Sequence, residues 1–281
     1  MAVKFIIDSA SDVMPGECKK LGVVHVPLTV CFGDKEYADA VEMYHKKFYK
    51  MLTSGKEAHP TTSQVTPAAW SEAMEQVVEG GDTAVVITLS SKLSGTYQSA
   101  CIAAEEFEGK VFVVDSMTAT IGERLLLEYG IRLAHEGLDA ATIAARLTEA
   151  RDRVRIFARV DTLEYLRKGG RIGAASAVVG TMLNIKPIIA VRDGVVANVA
   201  KARGAKQADK MLRDLVAKTG GIDFSKPLCA AYSGLEDDNL KTFLSDSKEL
   251  LCGTDVPIAV VGSVIGAHVG PGAVAIGYFE N

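Results

Sequence analysis

TAVVITLSSKLSGTYQSA, residues 83–100, decides how the chain folds. Its first part, 83–89, is an apolar, β-branched run of the length of a buried strand. From Thr96 onward it reads as a helix over 96–107. Between the two lie Ser90, Ser91, Ser94, Gly95 and Thr96. A strand that ends in a small polar turn and opens a helix leaves unpaired N–H groups at the helix start, where the helix dipole favours negative charge. Hydroxyls add donors without adding charge. The turn is therefore a candidate seat for a carboxylate or phosphate, and simple capping of the helix by Ser94 is the structural alternative.

Toward the amino end, KFIID (4–8) reads as a first strand running into DSASD (8–12). Asp8 and Asp12 are candidates for a metal, but carboxylates in a turn more often cap backbone N–H groups, and that reading is preferred. VVHVPLTVCF (23–32) alternates with Val24, Val26, Leu28, Val30 and Phe32 on one face, and is expected to form one half-buried strand. Pro27 inside it argues for a sheet edge or a bulge. A short helix is expected over 44–55, closed by Gly55. In HPTTSQVTPAAW (59–70), Thr66 followed by Pro67 is a helix start. That leaves Thr62, Ser63 and Gln64 as a second polar cluster, expected on a loop.

Beyond the central unit, 111–116 reads as a strand and 117–137 as a helix. A further helix over 139–154 starts at the N-cap Asp139. Strands alternating with helices imply a parallel sheet covered on both faces, with ligands at the carboxyl ends of the strands. Asp8–Asp12, Ser90–Thr96 and Asp115–Ser116 are then expected on one side of a first domain, residues 1–154. Near 155 the pattern changes. A strand (155–160) leads into DTLEYLRKGGRIG (161–173), a helix broken at Gly169–Gly170, and another helix is expected over 174–183. The runs 185–191 and 195–203 flank Arg192-Asp193-Gly194, a hairpin signal that implies antiparallel pairing. A second, α+β domain is therefore expected over 155–281. It continues with helix 204–219, strand 227–234, helix 235–251, strand 256–264 and a last strand. His268 sits among Gly266, Gly270 and Gly272 just before that strand, where small neighbours leave an imidazole accessible.

The 281 residues are 48% hydrophobic and 23% charged, which is globular composition. A net charge of −4 gives no support for nucleic-acid binding. The five cysteines are scattered and lack CxxC spacing, so neither a disulfide framework nor a zinc site is expected. MAVKFIID does not read as a signal peptide, and no apolar run reaches membrane-spanning length. The expected location is the cytoplasm, and a monomer is expected.

Six stretches together resemble the DegV family, which includes the fatty-acid-binding subunits of bacterial fatty acid kinase. They are DSASD (8–12), PTTSQVTP (60–67), SSKLSGTYQSA (90–100), DTLEYLRKGGRI (161–172), LNIKPII (183–189) and GSVIGAHVGPGAVAIGY (262–278), in the family's order along the whole chain. The resemblance implies two α/β domains, a smaller one with a mainly parallel sheet and a larger one with a mixed sheet. It implies a long-chain fatty acid such as palmitate, stearate or oleate, its tail buried and its carboxylate near the domain boundary. Thr62, Ser94 and His268 would hold that carboxylate, with Ser63, Gly95 and Thr96 as secondary candidates. A separate kinase subunit would phosphorylate the carboxylate to an acyl phosphate, and Arg171 and Arg203 would contact the phosphate or the kinase. No cofactor is implied, and membrane contact would be transient. Val65 and Met14 stand where proline and leucine are common, away from these positions.

The chemistry agrees with the resemblance. Burying a methylene contributes about 0.8 kcal/mol, so about fifteen of them carry on the order of 10 kcal/mol before ordering costs. A buried carboxylate needs donors, and neutral hydroxyl and imidazole donors leave it more reactive than an arginine clamp would. Lys168, Arg171, Lys201 and Arg203 would stabilise an acyl phosphate if they converge at the rim. The rival reading is a serine hydrolase or acyltransferase with Ser94 as nucleophile and His268 as base, although LSG lacks the GxSxG elbow. A lipid sensor without a kinase partner is a third.

Overall fold

The computed structural model describes residues 2–173 and 184–281. The helix expected over 174–183 lies outside the described residues. In chain order the elements are β1 (Val3–Asp8), α1 (Pro15–Leu21), β2 (Val24–Val26), β3 (Thr29–Phe32), β4 (Lys35–Ala38), α2 (His45–Thr53), β5 (Thr61–Ser63) and α3 (Pro67–Glu79). There follow β6 (Thr83–Thr88), α4 (Thr96–Ala104), β7 (Val111–Asp115), α5 (Ile121–His135) and α6 (Ala140–Ala150). The remainder comprises β8 (Val154–Arg159), α7 (Glu164–Lys168), β9 (Ile185–Arg192), β10 (Val195–Arg203), α8 (Ala205–Lys218), β11 (Leu228–Tyr232), α9 (Asp238–Asp246), β12 (Ile258–Val260), α10 (Ser263–Val269) and β13 (Val274–Phe279).

The expected α/β class is what the strands form. A four-stranded sheet, β2-β1-β6-β7, is parallel throughout. A six-stranded sheet, β10-β9-β8-β13-β11-β12, is antiparallel except for β11 against β12. A third, three-stranded antiparallel sheet, β4-β3-β5, was not expected. It arises because residues 23–32 are two strands. Pro27 has no N–H to continue a ladder, so Val24–Val26 edges the parallel sheet and Thr29–Phe32 passes into the small one. The alternation of burial survives the break: Val26, Leu28, Val30 and Phe32 are all buried.

Helix α5 is the centre of the molecule. Leu125, Leu126, Leu127 and Leu133 are buried around its circumference, as suits a helix enclosed on all sides. One cluster joins it to Phe5, Ile7, Val85 and Ile87 of the parallel sheet and to Ile156, Ala158, Ala231 and Ala275 of the mixed sheet. The outer face of the parallel sheet is covered by α3 and α4, and the same cluster, around Trp70, Met74 and Phe48, continues into α2 and the small sheet. The outer face of the mixed sheet is covered by α8 and α9, around Leu212, Val216 and Phe243.

Local chemistry sets several boundaries. Thr66 accepts from Ala69 N at 3.3 Å and Asp139 accepts from Thr142 N at 2.8 Å, both as N-caps. The hairpin turn places Asp193 at φ 49° and Gly194 at φ 79°, the paired left-handed turn that Asp-Gly favours. Ser90 Oγ donates to Gly194 O at 2.8 Å, tying the central turn to this hairpin. Several expected helices shorten: 117–137 is helical only from Ile121, 139–154 gives way to a 3-10 turn at Arg151, 161–173 is helical only over Glu164–Lys168, and 235–251 only over Asp238–Asp246. The strand expected over 256–264 ends at Val260, and His268, for which no element was expected, is carried by helix α10.

Candidate functional site

The carboxyl ends of the parallel strands meet as expected. Asp8 Oδ2 accepts from Leu89 N at 2.9 Å, and Asp115 Oδ1 accepts from Ser91 N at 3.1 Å. Asp8 also caps the turn after β1, accepting from Ala10 N at 2.9 Å. Asp12 accepts from Thr120 Oγ1 and from Gly262 N. Both aspartates are thus committed to caps and bridges, and no group of three or more His, Cys, Asp or Glu side chains among the described residues is arranged for a metal ion.

Beside this edge a cavity runs between the two larger sheets, enclosing about 970 Å³ free of protein atoms, its open mouth included. Its walls are chiefly aliphatic: Leu28, Leu89 and Ala119 from the first half, Ile156, Ala158, Ile189, Val261, Val264 and Ala275 from the second. Its polar lining is Thr62, Ser63, Gln64, Ser94, Thr120, Arg171 and His268. Thr62 and Ser63 lie on β5, a short edge strand paired with β3, not on a loop. Pairing to Val30 fixes where the Thr62 hydroxyl points.

Thr62 Oγ1 and His268 Nε2 are 2.9 Å apart, a hydrogen bond whose direction is set by the imidazole tautomer. Burial, reinforced by the Arg171 and His59 charges, lowers the His268 imidazole to about 4, so it is neutral at pH 7. Its Nδ1 is buried without a partner among the described residues. Ser94 lies on the same cavity but is not bonded to His268. Its Oγ pairs with Thr96 Oγ1 at 2.9 Å and accepts from Thr96 N at 3.3 Å. The N-cap of α4 is Gly95, and Ser94 precedes it. Thr96 is fully buried and is not among the cavity's lining residues. Gly95 is where the two polar motifs meet: a Cβ there would stand 2.1 Å from Gln64 Oε1.

Arg171 reaches across from the loop after α7. Its Nη1 donates to Gly169 O at 2.7 Å and its Nε to Leu93 O at 3.1 Å. Arg203 is exposed at the end of β10 and does not line the cavity, and neither do Lys168 and Lys201. Lys168 pairs with Glu164 at 3.2 Å. The four cations therefore do not gather on the lining. Sequence reasoning missed Thr120, which it placed inside a helix, and the role of Gly169 against His268, which no local signal discloses. The cavity offers hydroxyl and imidazole donors and the Arg171 cation to an anion, and an aliphatic surface to a chain. A hydrolase would need Ser94 within reach of a base, and here His268 Nε2 is held by Thr62.

The family model described as an uncharacterised protein of the DegV family matches residues 2–281. The chain belongs to the DegV family. A DegV domain-containing protein of Deinococcus radiodurans is 36% identical, covering 98% of both chains. A DegV family protein of Thermus thermophilus, whose structure is described as one of fatty acid binding, is 32% identical with a TM-score of 0.89, covering 100% of both chains. A protein of Eubacterium ventriosum whose structure is described as that of a stearic-acid-binding protein is 25% identical with a TM-score of 0.89, covering 100% of this chain and 98% of its own.

Proposed function

We propose that this DegV protein binds one long-chain fatty acid of the palmitate, stearate or oleate class. Its acyl chain lies in the aliphatic cavity and its carboxylate is held by Thr62, Ser94 and His268, with Ser63 beside them on the lining, while Gly95 and the buried Thr96 stand behind Ser94 and act on the head group only through it. The observation that carries this reading is the 2.9 Å contact between Thr62 and His268, residues from distant parts of the chain that meet in an otherwise aliphatic cavity. Neutral donors satisfy a carboxylate without clamping it. At about 0.8 kcal/mol per buried methylene, the tail supplies most of the affinity and the polar residues supply orientation. The fatty acids bound by the Thermus and Eubacterium relatives support the same ligand class.

The proposal extends to a non-catalytic role. The bound carboxylate is presented to a separate kinase subunit, which converts it to an acyl phosphate, and Arg171 and Arg203 face the phosphate or the kinase. No cofactor takes part. The division of the chain at 154/155 goes with it, each part supplying one wall of the cavity. A cytoplasmic location also goes with it, supported by the buried thiols of Cys18 and Cys229, which suit a reducing compartment.

Native mass spectrometry and solvent extraction of the purified protein test the binding step. A non-covalent fatty acid is expected, and Ser94→Ala is expected to retain less of it. Unchanged lipid content in that variant, or turnover of p-nitrophenyl esters lost in Ser94→Ala, would overturn the reading. For the kinase step, Arg203→Ala is expected to lower the acyl phosphate formed per bound lipid.

A further inference from the structure

Thr120 differs from the rest of the cavity wall in its backbone. It precedes α5 with φ 52° and ψ −133°, a region that a β-branched residue occupies only when its surroundings force it there. Two hydrogen bonds hold it. Thr120 N donates to Ala10 O at 2.7 Å, and Thr120 Oγ1 donates to Asp12 Oδ2 at 2.5 Å. The other oxygen of that carboxylate, Asp12 Oδ1, accepts from Gly262 N at 2.8 Å. Gly262 is the N-cap of α10, whose last turn carries His268.

Asp39 secures the next residue of the same helix, accepting from Ser263 N at 3.1 Å and from Ser263 Oγ. Asp12 and Asp39 are 2% and 1% exposed. Carboxylates this deep are costly unless their oxygens are engaged, and every bond given above ends at the cavity wall or at α10. A carboxyl group suits the junction because its two oxygens lie in different directions and each engages one partner, Thr120 Oγ1 at Oδ2 and Gly262 N at Oδ1.

We propose that Thr120 and Asp12 are positioning residues for His268: the Thr120–Asp12–Gly262 chain of hydrogen bonds joins the cavity wall to the start of α10 and so sets where the imidazole stands. The inference rests on the reading of the cavity as a fatty-acid site. Thr120 faces the ligand space and His268 faces the head group, and Asp12 is the rigid link between them. It also gives the last acidic residue of DSASD a purpose that turn capping alone does not.

A double-mutant cycle on the delipidated protein tests this, with oleate as the probe in calorimetric titration. Thr120→Val keeps the β-branched shape and deletes only the hydroxyl. Alone it is expected to weaken oleate binding about fivefold, the scale of one lost hydrogen bond. In a His268→Ala background it is expected to cost nothing further, because coupled residues are not additive. The ¹⁵N resonance of His268 Nε2 is expected to move in ligand-free Thr120→Val. Losses that multiply across the two sites, with that resonance unmoved, would reduce Thr120 to structural support and overturn the proposal. If Thr120→Val does not fold, Asp12→Asn is read through the same cycle. If the unsubstituted protein binds no oleate, the fatty-acid reading fails, and the resonance alone decides the positioning role.

Discussion

His268 lies directly against the backbone of Gly169: a Cβ at position 169 would stand 2.1 Å from Nδ1 of the imidazole. Gly169 has φ −77° and ψ −7°, a conformation open to any residue, so the demand for glycine here is one of space alone. Gly169→Ala is expected to push the ring away from Thr62. Overpacking of this kind costs about 1–3 kcal/mol. The expected outcome is a folded protein that retains markedly less fatty acid on extraction. Full retention would show that the ring can shift without losing the ligand.

Thr62→Val removes the hydroxyl and keeps the shape of the side chain on β5. One net hydrogen bond is worth about 0.5–1.5 kcal/mol, so oleate affinity is expected to fall about two- to tenfold. Calorimetric titration reads this directly, and an unchanged affinity would take Thr62 out of the head-group site.

Stability is expected to fall between pH 6.5 and 8. Burial lowers His268 and His25 from 6.5 to about 4, and raises Asp8 and Asp12 from 3.8 to about 7 and about 8. Between pH 4 and 6.5 the unfolded chain takes up protons at the two histidines that the folded protein refuses. Their contribution therefore rises with pH and is complete above 6.5. The aspartates act in the opposite sense. The folded protein keeps protons that the unfolded chain releases above 3.8, so their contribution falls until pH 7 to 8. Only the falling part remains above pH 6.5. Thermal melts across that interval should show a declining Tm, with a shallower decline in Asp12→Asn. A rising Tm would contradict the burial of these carboxyls.

Gly194→Ala tests the link between the central turn and the hairpin. Gly194 has φ 79°, and an added Cβ would stand 2.6 Å from Ser90 Oγ. Left-handed backbone costs a non-glycine residue about 1–2 kcal/mol before the clash is counted. A Tm loss of about 2–8 °C is expected, at about 2–4 °C per kcal/mol for a chain of this size, and a change within error would show that the hairpin moves freely against Ser90.

What could be read from the sequence is what local chemistry decides. Asp193-Gly194, Thr66-Pro67 and Asp139 carry their turn and cap geometry in a few neighbouring residues, and the structure uses them that way. Residues 23–32 were harder because alternation reports which face is buried and not which sheet receives it, so the break at Pro27 left the pattern intact. Helix α10 was hidden for another reason. Its sequence continues an apolar, glycine-rich run, and its start is held by Asp12 and Asp39 from distant parts of the chain. The same holds for the site. Thr62, Ser94 and His268 stood out through motif resemblance, whereas the closeness of Gly169 to His268 and the backbone of Thr120 are products of tertiary packing.

Strand β13 lies between β8 and β11 in the middle of the mixed sheet, although it is the last strand in chain order. Ala275 at its start and Ala273 just before it complete the cavity wall begun by Leu28 and Thr62. During synthesis, every residue through Phe279 must therefore leave the ribosome before the cavity wall has its final stave. A nascent chain halted before β13 would expose an open, greasy trough.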